Sequence, residues 1–215
     1  MTLAAERHAK LSLMSDTDAA AAPKRGRPGI SRQVVLDAAV AAFIEHGYDA
    51  TSMGLLSSRL GLSKAAIYHH FPAKVELLRA ALDEALGGLE GVLRQEGATE
   101  GNAEQRLAFV MSGAVHVLIE KLPYVTLLLR VRGNSEVERE ALARRREFDR
   151  AVTALVVAAR NEGSVRSDID PSVVTRLIFG MINSIVEWYR PGGGESADQL
   201  AEDVLTVAFD GLRPR

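Results

Sequence analysis

Between Thr51 and Lys74 the chain reads TSMGLLSSRLGLSKAAIYHHFPAK, and the spacing of its caps and its glycine leaves little choice of local fold. Thr51 or Ser52 can accept a hydrogen bond from the free N–H groups that open one short helix, and Ser63 can do the same for the next. Gly61 supplies the backbone freedom that a tight turn between them requires. Two helices so closely joined are the layout that presents the second of them to the major groove of DNA.

Helical spacing then sorts the residues of this unit. Met53, Leu56, Leu60, Ala66, Ile67 and Phe71 fall inward, with His70 beside them as a packing partner. Lys64, Ala65, Tyr68 and His69 are left outward. Lys64 can reach a guanine edge or a phosphate, Ala65 a thymine methyl, His69 a base or phosphate, and Tyr68 a phosphate that positions the helix. Thr51 and Ser63, at the openings of the two helices, are expected to cap and also suit a phosphate. Lys74 stands in the first turn of the following helix, where the dipole does not favour a cation, and a phosphate contact would account for it.

Charge is distributed to match. The chain of 215 residues carries a net charge of −2, yet from Lys24 to Arg79 eight Lys and Arg face four acids, a balance of +4 that leaves −6 for the remainder. A basic head on an acidic body follows. Just before it, Lys24-Arg25-Gly26-Arg27-Pro28-Gly29 forms a basic arm resembling an AT-hook, with Arg25 and Arg27 as candidates for the minor groove or the phosphates.

Periodicity elsewhere is helical throughout. Ser31 caps a helix to His46 with Val34, Val35, Ala38, Ala39, Ala42 and Phe43 apolar, and Pro72 is expected to start a longer helix reaching Arg94, with Val75, Leu78, Ala81, Leu82 and Leu86 on its stripe. After a link at Gly97 to Gly101, helices are expected at about 103–121, 123–131, 135–162, 170–189 and 196–212. The fold class is therefore all-α with about nine helices: a disordered tail over 1–23, a DNA-binding domain with its arm over 24–78, and a ligand-binding and dimerisation domain over 79–215.

Composition excludes several classes. There is no Cys, so thiolate catalysis, disulfides and Cys-ligated zinc are absent, and five His without a clustered acid constellation point to no metal site and no catalytic site. Apolar runs are broken by charge before membrane-spanning length, and the first residues, with Glu6 and no signal-peptide core, make a cytoplasmic location the expectation.

The runs Ala50-Thr51-Ser52-Met53, Leu60-Gly61-Leu62-Ser63-Lys64, Ala66-Ile67-Tyr68-His69-His70-Phe71 and Lys74 resemble the DNA-binding domain of the TetR family of bacterial transcriptional regulators. The resemblance covers about residues 30–78, and Ser57 stands where the family often has Ala. It implies a homodimer that binds a partly palindromic operator on double-stranded DNA, usually represses, and lets go when a hydrophobic small molecule occupies the body. Carried over by position, it makes Thr51, Lys64, Ala65, Tyr68, His69 and Lys74 the contact candidates.

In the body, Val186-Glu187-Trp188-Tyr189-Arg190-Pro191-Gly192-Gly193 resembles the C-terminal domain of TetR-type repressors of fatty-acid and steroid degradation, which respond to acyl-CoA thioesters. That resemblance implies no cofactor and an acyl-CoA effector. An apolar channel is expected from Phe109, Gly113, His116, Tyr124, Leu127 and Leu128, with Trp188 as a further ligand-binding candidate or, equally, an aromatic plug closing the bundle with Tyr189, and Arg130, Arg132 and Arg190 as cations. The Arg144-Arg145-Arg146 run offers further cations attractive for a polyphosphate, but its flanking Glu138, Glu140, Glu147 and Asp149 favour a solvated, internally paired helix face. Dimerisation is assigned to Val174, Leu177, Ile178, Met181, Ile182 and Ile185 on one helix and Leu200, Val204, Val207 and Ala208 on the next. A hydrophobic drug or aromatic metabolite would suit the same apolar helices, and an architectural DNA-binding protein without a ligand is the alternative that the basic arm supports.

Overall fold

A computed structural model describes residues 31–213, and all regular structure among them is helical. The tail at 1–23 and the arm with Arg25 and Arg27 lie outside the described residues. In order, α1 is Arg32–His46, α2 Met53–Leu60, α3 Lys64–His70, α4 Lys74–Leu93, α5 Glu96–Thr99, α6 Ala103–Glu120, α7 Leu122–Arg130, α8 Glu136–Asn161, α9 Pro171–Trp188 and α10 Ala197–Leu212. Among the described residues ten helices stand where about nine were expected for the chain. The extra one is α5, a single turn that opens the Gly97–Gly101 link from Glu96 and that Gly97 permits: a Cβ there would lie 2.4 Å from the Phe109 ring.

Side-chain oxygens start most helices as the sequence implies. Ser31, Ser63, Ser135 and Ser196 each accept from a backbone N–H of the first turn, and Asn102 and Gln105 form a reciprocal capping box on α6. Pro72 does not begin α4. The helix starts at Lys74 after Ala73, which provides no side-chain cap. The inward stripe of α1 also differs, because Val34 is 45% exposed whereas Leu36 and Val40 are buried. Likewise Leu77 and Ala85 join the buried stripe of α4, where Val75 is only half-buried.

From α1 to α3 the chain forms a small head. Gly61 closes α2 in the left-handed region at φ 62°, with the Leu62 N–H donating to Ser57 O and the Gly61 N–H to Ser58 O, so the last carbonyls of α2 are satisfied within the turn. The Ser57 hydroxyl adds a bond to Leu62 O across the same turn. Arg32 lies over the Phe71 ring at 4.2 Å and ties the start of α1 to the end of α3.

Behind the head, α6 is the central helix, packed by α4, α5, α8 and α10, while α9 lies against α8 and α10. The axes of α6 and α7 turn by 100° at Lys121, and no single helix among the described residues is long and apolar enough to cross a membrane. α4 runs without a break through residue 78 and packs against α1 as well as α6, α7 and α8. Ion pairs hold it to its neighbours, Arg79 with Glu140, Lys121 with Glu84 at 2.6 Å, and Arg144 with Asp83 and, in a two-bond fork, with Glu90.

Candidate functional site

The outward face of α3 stands as its spacing predicts. Ile67 and Phe71 are buried, Ala66 and His70 half-buried, and Lys64, Ala65, Tyr68 and His69 exposed, with Tyr68 at 47%. A buried Ile and Phe beneath a seven-residue helix fix which side faces out. Ser63 caps it through Ala66 N at 3.2 Å, and the Lys64 stem lies against Gly54, where an added Cβ would be 3.3 Å from its Cε.

Two predicted contact residues are turned inward. Thr51 is 1% exposed and its hydroxyl donates to Gly47 O at 2.8 Å and Ala42 O at 3.2 Å, so it satisfies carbonyls at the end of α1 rather than offering itself to a phosphate. The cap of α2 is Ser52, which accepts from Leu55 N. Lys74 donates to Tyr48 O at 2.9 Å and sits 4.2 Å from the Tyr48 ring centroid. It is a strut from α4 to the turn after α1, where the carbonyls and ring offset its unfavourable place at a helix start.

The expected ligand channel does not form from the residues assigned to it. Only Leu128 lines the core cavity. This lies among α4, α6, α7, α8 and α9, walled by Leu89, Ala114, Leu118, Val125, Leu128, Phe148, Phe179 and Ile182 and edged by Arg145, Asp149 and Asn183, and encloses about 30 Å³. That is room for about one or two waters. The rest of the set is dispersed: Phe109 packs on Gly97, and Gly113 brings α6 so close to α4 that a Cβ would meet Val92 at 2.5 Å. Leu127 is buried core outside that lining. His116 bridges Ser112 O and Asp198, joining α6 to α10. Arg132 and Arg190 bond neighbouring backbone carbonyls, and Trp188 is half exposed at the end of α9, outside the cavity lining. Periodicity places an apolar side chain on a face; which of several neighbouring helices that face meets is a tertiary matter.

Two of the dispersed residues have a different and informative place. The Tyr124 hydroxyl donates to Asp37 of α1 and accepts from Gln33 at 2.6 Å, while Arg130 donates to Ile44 O at 2.7 Å. Burial, then the Asp37 carboxylate, pushes the Tyr124 phenol well above its ordinary range, so it stays a donor. One short helix, α7, therefore walls the cavity with Val125 and Leu128 and grips the head with Tyr124 and Arg130.

A second candidate site stands on α8 and α9, where the sequence offers only Arg145 and Arg146, as cations for a polyphosphate. A groove of about 460 Å³ runs between them, lined by Arg145, Arg146, Arg150 and Arg176 with Asp149, Thr153, Ser172, Thr175, Phe179, Gly180 and Asn183. It shares Arg145, Asp149, Phe179 and Asn183 with the apolar cavity. The signal was present in the arginine run and in Arg150 one turn beyond Arg146. The pairing expected for that run does not occur: Glu138 accepts the backbone N–H groups of Arg132, Gly133 and Asn134, Glu140 holds Arg79, and only Arg144 is paired, with acids of α4.

The dimer residues also divide. Val174, Ile178, Ile182, Ile185, Leu200, Val204 and Ala208 are buried within the subunit, and Ile182 walls the cavity. Leu177 and Val207 stand out at 65% and 63% exposure, and with Met181 they rim a shallow apolar depression of about 210 Å³ floored by Val174, Ile178, Ala208 and Leu212. Large apolar side chains so exposed on two adjacent helices form the kind of patch that a partner covers.

Residues 35–81 match the family model described as bacterial regulatory proteins, tetR family, and residues 100–212 match the tetracyclin repressor-like C-terminal domain. The chain is 53% identical to the crystallised TetR regulator SCO3833 of Streptomyces coelicolor A3, with a TM-score of 0.78 over 84% of this chain and 91% of that one. It is 28% identical over 193 residues to the transcriptional repressor KstR2 of Rhodococcus jostii, covering 84% of this chain and 90% of that protein. AibR, crystallised with isovaleryl coenzyme A and operator DNA, shares the fold with a TM-score of 0.70 at 23% identity, over 83% of this chain and 97% of its own. With an exposed reading face, an internal cavity and an uncovered apolar patch on one all-helical frame, the chain belongs to the TetR family of bacterial transcriptional regulators, which bind operator DNA as homodimers and answer to a hydrophobic small molecule.

Proposed function

We propose that this protein represses transcription by setting α3 of each subunit into successive major grooves of an operator, and that an acyl-CoA releases it. Lys64, Ala65, Tyr68 and His69, with the N–H groups opened by Ser63, make the contacts, and the head through residue 78 reads DNA while the body from 79 senses and dimerises. Repression is in keeping with the relative KstR2, a transcriptional repressor. The fold of AibR, held in common, accommodates isovaleryl coenzyme A.

The observation that carries the reading is the double duty of α7. A cavity of about 30 Å³ takes an acyl chain only if its walls move apart, since small-molecule sites span about 300–1,000 Å³. Val125 and Leu128 are on one of those walls, and any shift of α7 pulls on α1 through Tyr124 and Arg130. Filling the core and reorienting the head are thereby one event, in which the effector favours the arrangement with the wider cavity.

The test is titration of the operator complex with butyryl-, octanoyl- and palmitoyl-CoA, the matching free acids and CoA alone. Release by a thioester, with a preferred chain length, is the expected result; release by none of the thioesters defeats the acyl-CoA reading. In parallel, Tyr68→Ala and Lys64→Ala are expected to abolish operator binding while the dimer persists, and loss of folding instead would make them internal supports.

A further inference from the structure

We propose that the groove between α8 and α9 seats the phosphates of the effector, and that the acyl chain passes from it into the core between Phe148 and Phe179. This rests on the acyl-CoA reading and adds where the coenzyme is held and by which side chains: Arg145, Arg146 and Arg150 from α8 and Arg176 from α9.

Charge is the first argument. Several guanidinium groups outside the groove are matched, Arg59 with Glu45, Arg79 with Glu140, Arg144 with Asp83 and Glu90, Arg166 with Asp168, while unmatched ones among the described residues, such as Arg94, Arg139 and Arg160, line neither the groove nor the cavity. Among the described residues none of the four groove arginines has a carboxylate within 4.0 Å. Asp149 lines the groove with them, its carboxyl pushed upward by burial, with Arg145 and Arg176 pulling it the other way. Four cations around one half-buried acid leave an excess that a multiply charged anion relieves, and the planar guanidinium fork matches phosphate oxygens.

Apart from Asn183, the uncharged polar side chains between them are already engaged. Thr153 donates to Asp149 O, Thr175 to Pro171 O, Ser172 to Asp170, and the Arg150 Nε to Arg146 O, so the groove's remaining donors are chiefly arginine N–H groups.

Continuity is the second argument. The groove and the cavity meet at Arg145, Asp149, Phe179 and Asn183, and the Phe148 and Phe179 rings, edge to face at 5.4 Å and 86°, stand at that junction. An aromatic pair held by contact alone can part at modest cost. A polar head outside, an apolar core within and a yielding pair between them fit an amphipathic anion and do not fit an uncharged drug.

The experiment compares wild type with Arg145→Ala/Arg176→Ala by calorimetric binding of the acyl-CoA that releases the operator, of its free acid and of CoA alone. Circular dichroism, dimer mass and operator affinity without effector serve as controls on folding. Acyl-CoA affinity is expected to fall about tenfold or more, the free acid to change less than about twofold, and Arg145→Lys/Arg176→Lys to recover part of the loss. Asp149→Asn, which removes the competing carboxylate and keeps the shape, is expected to tighten acyl-CoA and CoA alone. Unchanged thioester binding in the alanine variant, with wild type responding, overturns the groove and leaves the acyl-CoA reading standing. No thioester binding by wild type overturns both. An alanine variant that loses its dimer or its helical signal shifts the decision to Asp149→Asn, where weaker or equal binding refutes the site.

Discussion

Replacing Tyr124 by Phe should weaken communication between effector and operator without touching either site. The ring is 9% exposed and its packing survives in Phe, so the change removes one hydroxyl, which donates to Asp37 and accepts from Gln33. A hydrogen bond to a charged partner contributes about 1.5–3 kcal/mol. Asp37 is exposed and keeps the Gln33 amide at 2.9 Å, so about 1 kcal/mol per subunit is the reasonable loss. In a dimer that is about 2 kcal/mol, roughly thirtyfold. The quantity to measure, by fluorescence anisotropy on an operator selected from random duplexes, is the ratio of operator affinities without and with saturating acyl-CoA. That ratio should fall by about five- to thirtyfold, while effector affinity of the free protein stays within about twofold. By linkage the effector should then bind the operator complex correspondingly more tightly. A variant with the wild-type ratio and an unchanged melting temperature would refute the idea that α7 pulls the head through this bond.

Thr51→Val should destabilise the protein by about 1–3 kcal/mol in urea unfolding, because two carbonyls at the end of α1 lose their donor; normal stability with weakened operator binding would show instead that Thr51 faces phosphate. If α9 and α10 form the dimer face, Leu177→Arg should yield a monomer by light scattering that no longer binds operator at nanomolar concentration, since burial of the 65%-exposed Leu177 would contribute about 2 kcal/mol in each of two copies and a charge set into an apolar patch would oppose it. An intact dimer would move the interface elsewhere. The His116 imidazole is raised above 6.5 by its bond to Asp198 and then by Ser112 O, so its contribution is complete below about pH 6.5 and is lost as pH rises through the raised value. Both partners are substantially exposed, so the effect is below about 1 kcal/mol. The melting temperature should drift down over that range in wild type and hold level in His116→Gln, and identical drifts would remove the pair from the account.

Much of this was legible because local rules act within a few residues. A serine four residues before a buried Ile, or a glycine where the chain must turn left-handed, decides a helix start or stop wherever the segment sits, and so the caps at Ser31 and Ser63, the turn at Gly61 and the outward face of α3 follow from spacing. The α5 turn escaped because its reason is Phe109, twelve residues on, which only a glycine can approach so closely.

The body shows the opposite case. Its apolar stripes predicted helices correctly but not which helices meet, so a channel assembled from Phe109, Gly113, His116 and Tyr124 dissolved once each was found against a different neighbour. Charges behaved likewise. In sequence Arg144 to Arg146 sit among Glu138, Glu140, Glu147 and Asp149 and read as self-neutralising, yet a helix sends residues one apart in directions about 100° different, so Arg144 met the acids of α4 while Arg145 and Arg146 were left toward α9. The sequence by itself determined an all-helical, basic-headed chain and the face of α3 that looks outward, since caps, turns and a 3.6-residue period are short-range. Only the tertiary structure decided that α7 walls the cavity and grips α1, that Thr51 and Lys74 are struts, and that four arginines share one groove, since each depends on which distant helix a side chain meets.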